Sequence, residues 1–395
     1  MLLNKAEENI KKFIPKILLE EKGMIWVLLT TALLIGLQKV IQGPDYYNNY
    51  IIFKTSFFHL YNDQNLYRNY WDEYNDLYLY SPTFALLMIP LVFLPLWLQV
   101  ILWCCLNVFS VYIAIKLLPF DSAKKRVVVY WFILIELITA LQNVQVSPMV
   151  ASFIILAFVF FERGNLFKAA FFIVLATFIK IYAIAAVILF LMYPRKLKFA
   201  GYMTFWCIIF LLAPLLIVSF NQLLFLYHSW FNLTIGIHQS EETGINPNIA
   251  IPLSVMGWLK TWFHLNPPAV YVQLAGTALM CLPFARIKYY KNLDFKLFIL
   301  ASILIWAMIF NHIAESASYI VAILGVGIWY VTEKKSVPVN VLLVTVFIFS
   351  ILSPTSIFPK YLREHYVIPY VLKAVPCIIV WFVIQYRLLF NKFDK

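Results

Sequence analysis

The chain of 395 residues is 63% hydrophobic and 13% charged, with a mean hydropathy of +0.82, where soluble domains carry about 25% charged residues. These values exclude a soluble globular protein and indicate a polytopic membrane protein. The net charge of +12 sits in short basic clusters between apolar runs, so it reads as membrane topology and excludes a nucleic-acid surface.

Residues 1–23 alternate Lys and Glu and lack a small-residue cleavage site, so a cytoplasmic amphipathic N-terminus is expected, with the first helix retained. Apolar runs follow near residues 24–42, 83–96, 97–118, 127–141, 148–162, 167–180, 181–193, 199–219, 269–285, 297–310, 317–331, 338–352 and 367–389. Several are well short of the roughly 20 residues that span a bilayer as an α-helix. They predict re-entrant or half-depth helices whose backbone is covered by protein or a water-filled cavity. The expectation is one all-α membrane domain, residues 1–395, of about ten to twelve transmembrane helices.

Lys and Arg fix the orientation in the second half. Arg195, Lys196 and Lys198, then Arg286, Lys288, Lys291 and Lys296, then Lys334 and Lys335, then Arg387, Lys392 and Lys395 fall at ends of one parity, which predicts those ends to be cytoplasmic. Residues 43–82, 142–147, 220–268, 311–316 and 353–366 then lie on the opposite side, with 43–82 and 220–268 as the large external loop regions. Three full crossings between Tyr80 and Gln142 would break this parity. Either the short run after Pro82 or the segment 127–141 does not cross. The five cysteines, Cys104, Cys105, Cys207, Cys281 and Cys377, lie in apolar stretches without metal-site spacing and read as buried small hydrophobes.

The polar marks come in chain order. The stretch "IQGPDYYNNYIIFKTSFFHLYNDQNLY", residues 41–67, puts Asp45 two or three residues past the membrane exit of the first helix. A carboxylate at a helix C-terminus is disfavoured by the dipole, and an ionisable group at a membrane edge is costly, which points to a functional role. Lys180, in "ATFIKIYAIAAV", lies between two short apolar segments, so its ammonium must meet a carbonyl, an acid or a bound anion. "MIFNHIAESASYI" supplies His312, Glu315 and Ser316, with His312 and Glu315 on one face if the turn is helical. "FPKYLREHYVIPYVLKAVPCIIVW" adds Lys360, Arg363, His365 and Lys373 at the outer leaflet, either facing a lipid phosphate or as interfacial anchors. Phosphate-binding loops, dinucleotide fingerprints, zinc-type His pairs and nucleophile elbows are absent from the sequence.

The order of Asp45, "YNDQNLY", "YLYSPTFALLMIPLVFLPLWLQVILWCCLN" and "NVQVSPMVASFIILAFVFFERGNLFKAAFFIVLATFIKIYAI" resembles the GT-C glycosyltransferases. Among them it is most similar to glycosyltransferase family 87, the polyprenol-phosphate-mannose-dependent alpha-mannosyltransferases. The resemblance implies that Asp45 is the catalytic base. It carries substrate contacts onto Tyr80 beside Pro82, Gln145, Lys180, Asn248 within "NPNIA", and His312, which Glu315 follows here. Gln145 stands in a Gly-Gln-x-Asn-like turn, with Val144 and Ser147 replacing Gly and Asn.

The implied reaction is an inverting transfer of a hexose, mannose by family, from a polyprenyl-phosphate donor to a hydroxyl of a lipid-linked or glycolipid acceptor. It would take place on the non-cytoplasmic face of a plasma (inner) membrane, among membrane lipids, with no cofactor, metal or nucleic acid. One carboxylate base suffices for a single displacement, in contrast to the two of a double-displacement route. Fixed cations, here Lys180, Arg363 and Lys373, would stabilise the leaving phosphate. A transporter or flippase, or a polymerase or ligase of lipid-linked glycans, is the alternative reading. Broken helices and buried ions suit a transporter too, but an internal repeat is not seen.

Overall fold

The computed structural model describes residues 20–243 and 251–393, and all regular structure among them is helical. The protein is a polytopic helical membrane protein. The first apolar run forms α1 (Glu21–Gln42), which Gly43 ends at φ 100. A single 3-10 turn, Pro44–Tyr47, leads straight into α2 (Asn48–Tyr61), so the region expected as a loop begins with a helix. Its buried Phe53, Phe57 and Leu60 recur at helical spacing, but the intervening Asn, Lys, Thr and His lower the contrast that marks a membrane run.

After Pro82 come α3 (Pro82–Leu87) and α4 (Ile89–Val92), far too short to cross at about 1.5 Å per residue. Next are α5 (Leu96–Leu117) and α6 (Ala123–Gln142). Arg126 near the start of α6 pairs with Glu21 at 2.9 Å, while Asn143 at its far end accepts a bond from Asn49 at 2.8 Å. Helix α6 therefore runs the same distance as α1, and the segment after Pro82 is the one that does not cross. Its exposed carbonyls are satisfied internally: Gln99 Nε2 donates to Val92 O at 3.2 Å and Leu94 O at 2.5 Å, and its Oε1 accepts from the Tyr50 hydroxyl at 3.1 Å.

The chain continues through α7 (Ser147–Glu162), α8 (Leu166–Ile179), a 3-10 helix Ile181–Met192 and α9 (Lys196–Leu212). Twelve residues as a 3-10 helix rise about 24 Å at about 2.0 Å each, a third more than an α-helix would. The stretched form lets a short apolar run reach nearly across a bilayer. The region 220–268 holds two more helices, α10 (Phe220–Thr243) and α11 (Val255–Phe263). Helix α10 docks on the first loop, where Gln222 Nε2 donates to Asp63 O at 2.9 Å and Trp230 Nε1 to Leu79 O at 3.1 Å.

Then follow α12 (Ala269–Cys281), α13 (Leu293–Ile309), a 3-10 turn Ser316–Ser318 and α14 (Ile320–Thr332). Helix α15 (Val337–Val346) continues as a π-helical stretch to Leu352, and α16 (Lys360–Leu362) as a π-helical turn to Val367. The last helix, α17 (Val375–Phe390), starts later than the apolar run near 367, because Val371 adopts φ 54 and breaks the path. Helices α13 and α14 are buried almost throughout. They touch at Gly325, where a Cβ would lie 2.7 Å from Ala301 O, the small-residue contact typical of membrane helix pairs.

The end carrying the basic clusters is tied by ion pairs between helices, among them Glu21–Arg126 at 2.9 Å, Glu162–Lys296 at 2.6 Å and Glu333–Arg387 at 3.5 Å. A cavity of about 330 Å³ among Arg163, Asn165, Arg195, Lys198 and Tyr202 also opens there. The long loops gather at the opposite end. Of the cysteines, only Cys104 and Cys377 are buried, Cys105 and Cys207 are half-buried, and Cys281 is exposed, so an apolar stretch here also supplies outward-facing positions.

Candidate active site

The site is built around Lys180, where α8 stops. Its backbone is extended, with φ −136 and ψ 119, and its N–H still bonds Ala176 O at 2.8 Å. The side chain thus leaves from a helix C-terminus, the end whose dipole favours a cation. Lys180 Nζ donates to Ser147 Oγ at 3.1 Å and Ser318 Oγ at 3.2 Å, and lies 3.5 Å from Gln145 Oε1. The ring of Tyr80 faces it, centroid 6.0 Å away. Every one of these partners is neutral, and among the described residues Lys180 forms no ion pair. The nearest acid, Glu315, reaches the cluster through Gln145, whose Nε2 is 3.4 Å from Glu315 Oε2, and it is otherwise exposed.

Local chain geometry places each of these groups. Gln145 follows α6 in a Schellman turn, with Gln145 N–H on Ala140 O at 3.0 Å and Val144 N–H on Leu141 O at 2.9 Å. That turn needs a left-handed residue, and Val144 supplies it at φ 49, a costly conformation for a β-branched side chain. The same turn after α7 uses Gly164 at φ 70. Backbone strain is therefore stored directly beside Gln145. Tyr80 is set by Ser81, which caps α3 by accepting from Phe84 N–H at 3.3 Å and donates to Phe178 O at 2.5 Å, so the start of α3 is bonded to the end of α8. Ser318 closes the 3-10 turn that starts α14 and accepts a bond from Ser147 at 3.0 Å.

The structure thus brings together Tyr80, Gln145, Lys180 and Glu315. It adds three groups that sequence reasoning did not select: Ser147, Ser318 and Tyr182. The Tyr182 hydroxyl is buried close to Ser147, itself a partner of Lys180. His312 and Glu315 lie on an irregular turn, so the helical face expected to pair them is not formed. His312 Nδ1 instead lies 3.3 Å from Gln273 Nε2.

Asp45 sits exposed in the Pro44–Tyr47 turn. Among the described residues its side chain makes no hydrogen bond or ion pair. Asn49, one helical turn later, donates to Asn143 O at 2.8 Å, and Asn143 leads into the Gln145 turn. The Tyr-rich loop that follows is mostly packed upon itself. Tyr78 and Tyr67 donate to the carbonyls of Ser81 and Tyr80 at 2.7 and 3.0 Å, and His59 stacks on Tyr70 at 3.8 Å while bonding Glu73 at 3.1 Å. Burial holds His59 below the ordinary histidine pKa, against the opposing pull of Glu73.

Of the remaining expected residues, Lys373 is buried and pairs with Glu136 at 2.8 Å; Arg363 donates to Thr355 O at 3.1 Å and is not brought to Lys180 by any contact among the described residues; Asn248 falls outside the described residues. Among the described residues, no group of three or more His, Cys, Asp or Glu side chains is arranged to hold a metal ion.

The model of glycosyltransferase family 87 matches residues 78–354, more than half of the chain. No curated protein matches it. The matched range contains Tyr80, Gln145, Lys180, His312 and Glu315, while Asp45, Arg363 and Lys373 lie outside it. The chain belongs to glycosyltransferase family 87.

Proposed function

We propose that this glycosyltransferase moves a hexose, mannose as the first candidate, from a polyprenyl-phosphate donor to a hydroxyl of a lipid-linked or glycolipid acceptor. The reaction takes place at the loop-rich end, on the non-cytoplasmic face of a plasma (inner) membrane. The observation that carries this reading is Lys180: a cation ringed by neutral hydroxyls and an amide, with no carboxylate paired to it among the described residues. Such an arrangement favours an incoming anion, and a phosphate monoester or diester supplies one.

In the proposed step the acceptor oxygen attacks the anomeric carbon as Asp45 takes its proton. The bond from that carbon to the phosphate oxygen breaks, and polyprenyl phosphate departs with its new charge facing Lys180. A single displacement inverts the centre, so a beta-linked donor gives an alpha-linked product. The exposed carboxylate of Asp45, without a partner among the described residues, suits a base that must meet a hydroxyl from outside the chain. Tyr80, Gln145 and the Tyr182 hydroxyl supply further donors and a ring around the phosphate and sugar, with Glu315 at the edge.

The test is transfer of label from a panel of radiolabelled polyprenyl-phosphate sugars by the protein in nanodiscs, comparing wild type with Asp45→Asn. Label passing into a new lipid product only with wild type supports the assignment. Full transfer by folded Asp45→Asn removes Asp45 as base. An unconsumed donor that instead crosses the bilayer of sealed vesicles favours the flippase reading.

A further inference from the structure

We propose that the buried Glu136–Lys373 pair positions the Ser316–Ser318 turn against Lys180, so that the geometry of the phosphate site depends on an ion pair that never touches substrate. This rests on the reading of Lys180 given above. Lys373 Nζ is 2.8 Å from Glu136 Oε1, 3.0 Å from Ser316 O and 2.9 Å from Ser316 Oγ. The two side chains are 3% and 0% exposed. A buried ion pair is a poor source of stability, since an apolar pair of similar volume often does as well or better. Its value here is what it holds.

Ser316 opens the turn and Ser318 closes it. Lys373 grips the first serine by side chain and backbone, while Lys180 donates to the last. Glu136 belongs to α6, whose C-terminal turn presents Gln145 to the same Lys180. The pair therefore fastens together the two pieces of chain that surround Lys180, one from each side. Glu315, immediately before the gripped serine, bonds Gln145 at 3.4 Å and closes the loop of contacts. Loss of the grip lets Ser318 and Glu315 shift relative to Lys180, and a misplacement of about 1 Å at a reacting centre costs about 100-fold in rate.

The experiment is steady-state kinetics in nanodiscs for wild type, Lys180→Met, the double variant Glu136→Gln/Lys373→Met, and the triple variant combining them. The double variant removes both charges together, so no lone ion stays buried. It is expected to remain folded and to lower kcat about 10- to 100-fold, with the acceptor KM unchanged. In the Lys180→Met background the same two changes should cost less than about threefold, because the group they position is gone. Wild-type kcat in the double variant, or losses that multiply in full in the triple, overturns the proposal. If the double variant does not fold, Ser316→Ala replaces it: a lower kcat that vanishes in the Lys180→Met background supports the proposal, and an unchanged kcat overturns it. A wild-type protein that consumes no donor, or a Lys180→Met that keeps full kcat, defeats the reading of Lys180 itself, and this inference falls with it.

Discussion

Replacing Lys180 by Met tests the proposed phosphate site most directly. A unit charge about 4 Å from a developing phosphate charge, at an effective dielectric of about 20, contributes about 4 kcal/mol. Removing one preorganised electrostatic group from a transition state costs about 3–4 kcal/mol, or 100- to 1,000-fold in kcat. The fold should tolerate the change, since Ser147 and Ser318 remain bonded to each other at 3.0 Å and no carboxylate loses a counter-ion. Stability should change by no more than about 1–2 kcal/mol, as lost charged hydrogen bonds offset relief of desolvation. Lys180→Arg keeps the charge but spreads it over a planar fork, and should fall between Met and wild type. Transfer of labelled hexose in nanodiscs gives kcat, and thermal unfolding followed by tryptophan emission gives stability. A folded Lys180→Met with kcat within about threefold of wild type would refute the reasoning.

Lys373→Met alone should behave in the opposite sense, destabilising by about 3–5 kcal/mol because Glu136 is left as an uncompensated buried charge; detergent unfolding midpoints check this. Ser81→Ala removes the cap of α3 and the tie to Phe178 O, so a loss of about 1 kcal/mol is expected, together with a raised donor KM as Tyr80 loosens beside Lys180. Gly325→Ala forces a Cβ to within 2.7 Å of Ala301 O and should cost about 1–3 kcal/mol, read from the unfolding midpoint, with no selective effect on KM. The folded state holds His59 with a pKa below its unfolded value, so its neutral form is the one that stabilises. That contribution is present above the unfolded value of about 6.5 and declines as pH falls through the folded one. His59→Phe, which keeps the stack on Tyr70, should flatten the wild-type loss of stability between pH 7 and 5, and a slope identical to wild type would contradict it.

The sequence exposed the fold class and the outline of the site for one reason: in a chain so poor in charge, each ionisable residue stands out. Asp45 and Lys180 stand out as candidates on that basis. What stayed hidden was hidden by ordinary chemistry. Threonines in these helices mostly bond the carbonyl one turn back, as Thr31 does to Val27 and Thr177 to Ile173, both at 2.8 Å. A serine such as Ser147 or Ser318 differs only in what faces it. The 3-10 form of Ile181–Met192 leaves no compositional trace, so from the sequence the segment is only a short apolar run beside Lys180. Helices α2 and α10 were masked because polar and aromatic residues interrupt their apolar faces.

Lys180 and Lys373 show most clearly where sequence reading ends. Both are lysines in apolar surroundings, and both bond a serine of the same short turn. Sequence assigned them the same duty, facing a phosphate. The difference is a carboxylate 237 positions away, which neutralises Lys373, whereas among the described residues no carboxylate forms an ion pair with Lys180. Glu136 was as anomalous in "WFILIELITALQ" as Lys180 was in its own run, yet an isolated anomaly does not identify its partner. Charge in a low-dielectric interior acquires its meaning from pairing: a paired lysine can fix geometry, an unpaired one can receive an anion, and only the three-dimensional arrangement separates the two.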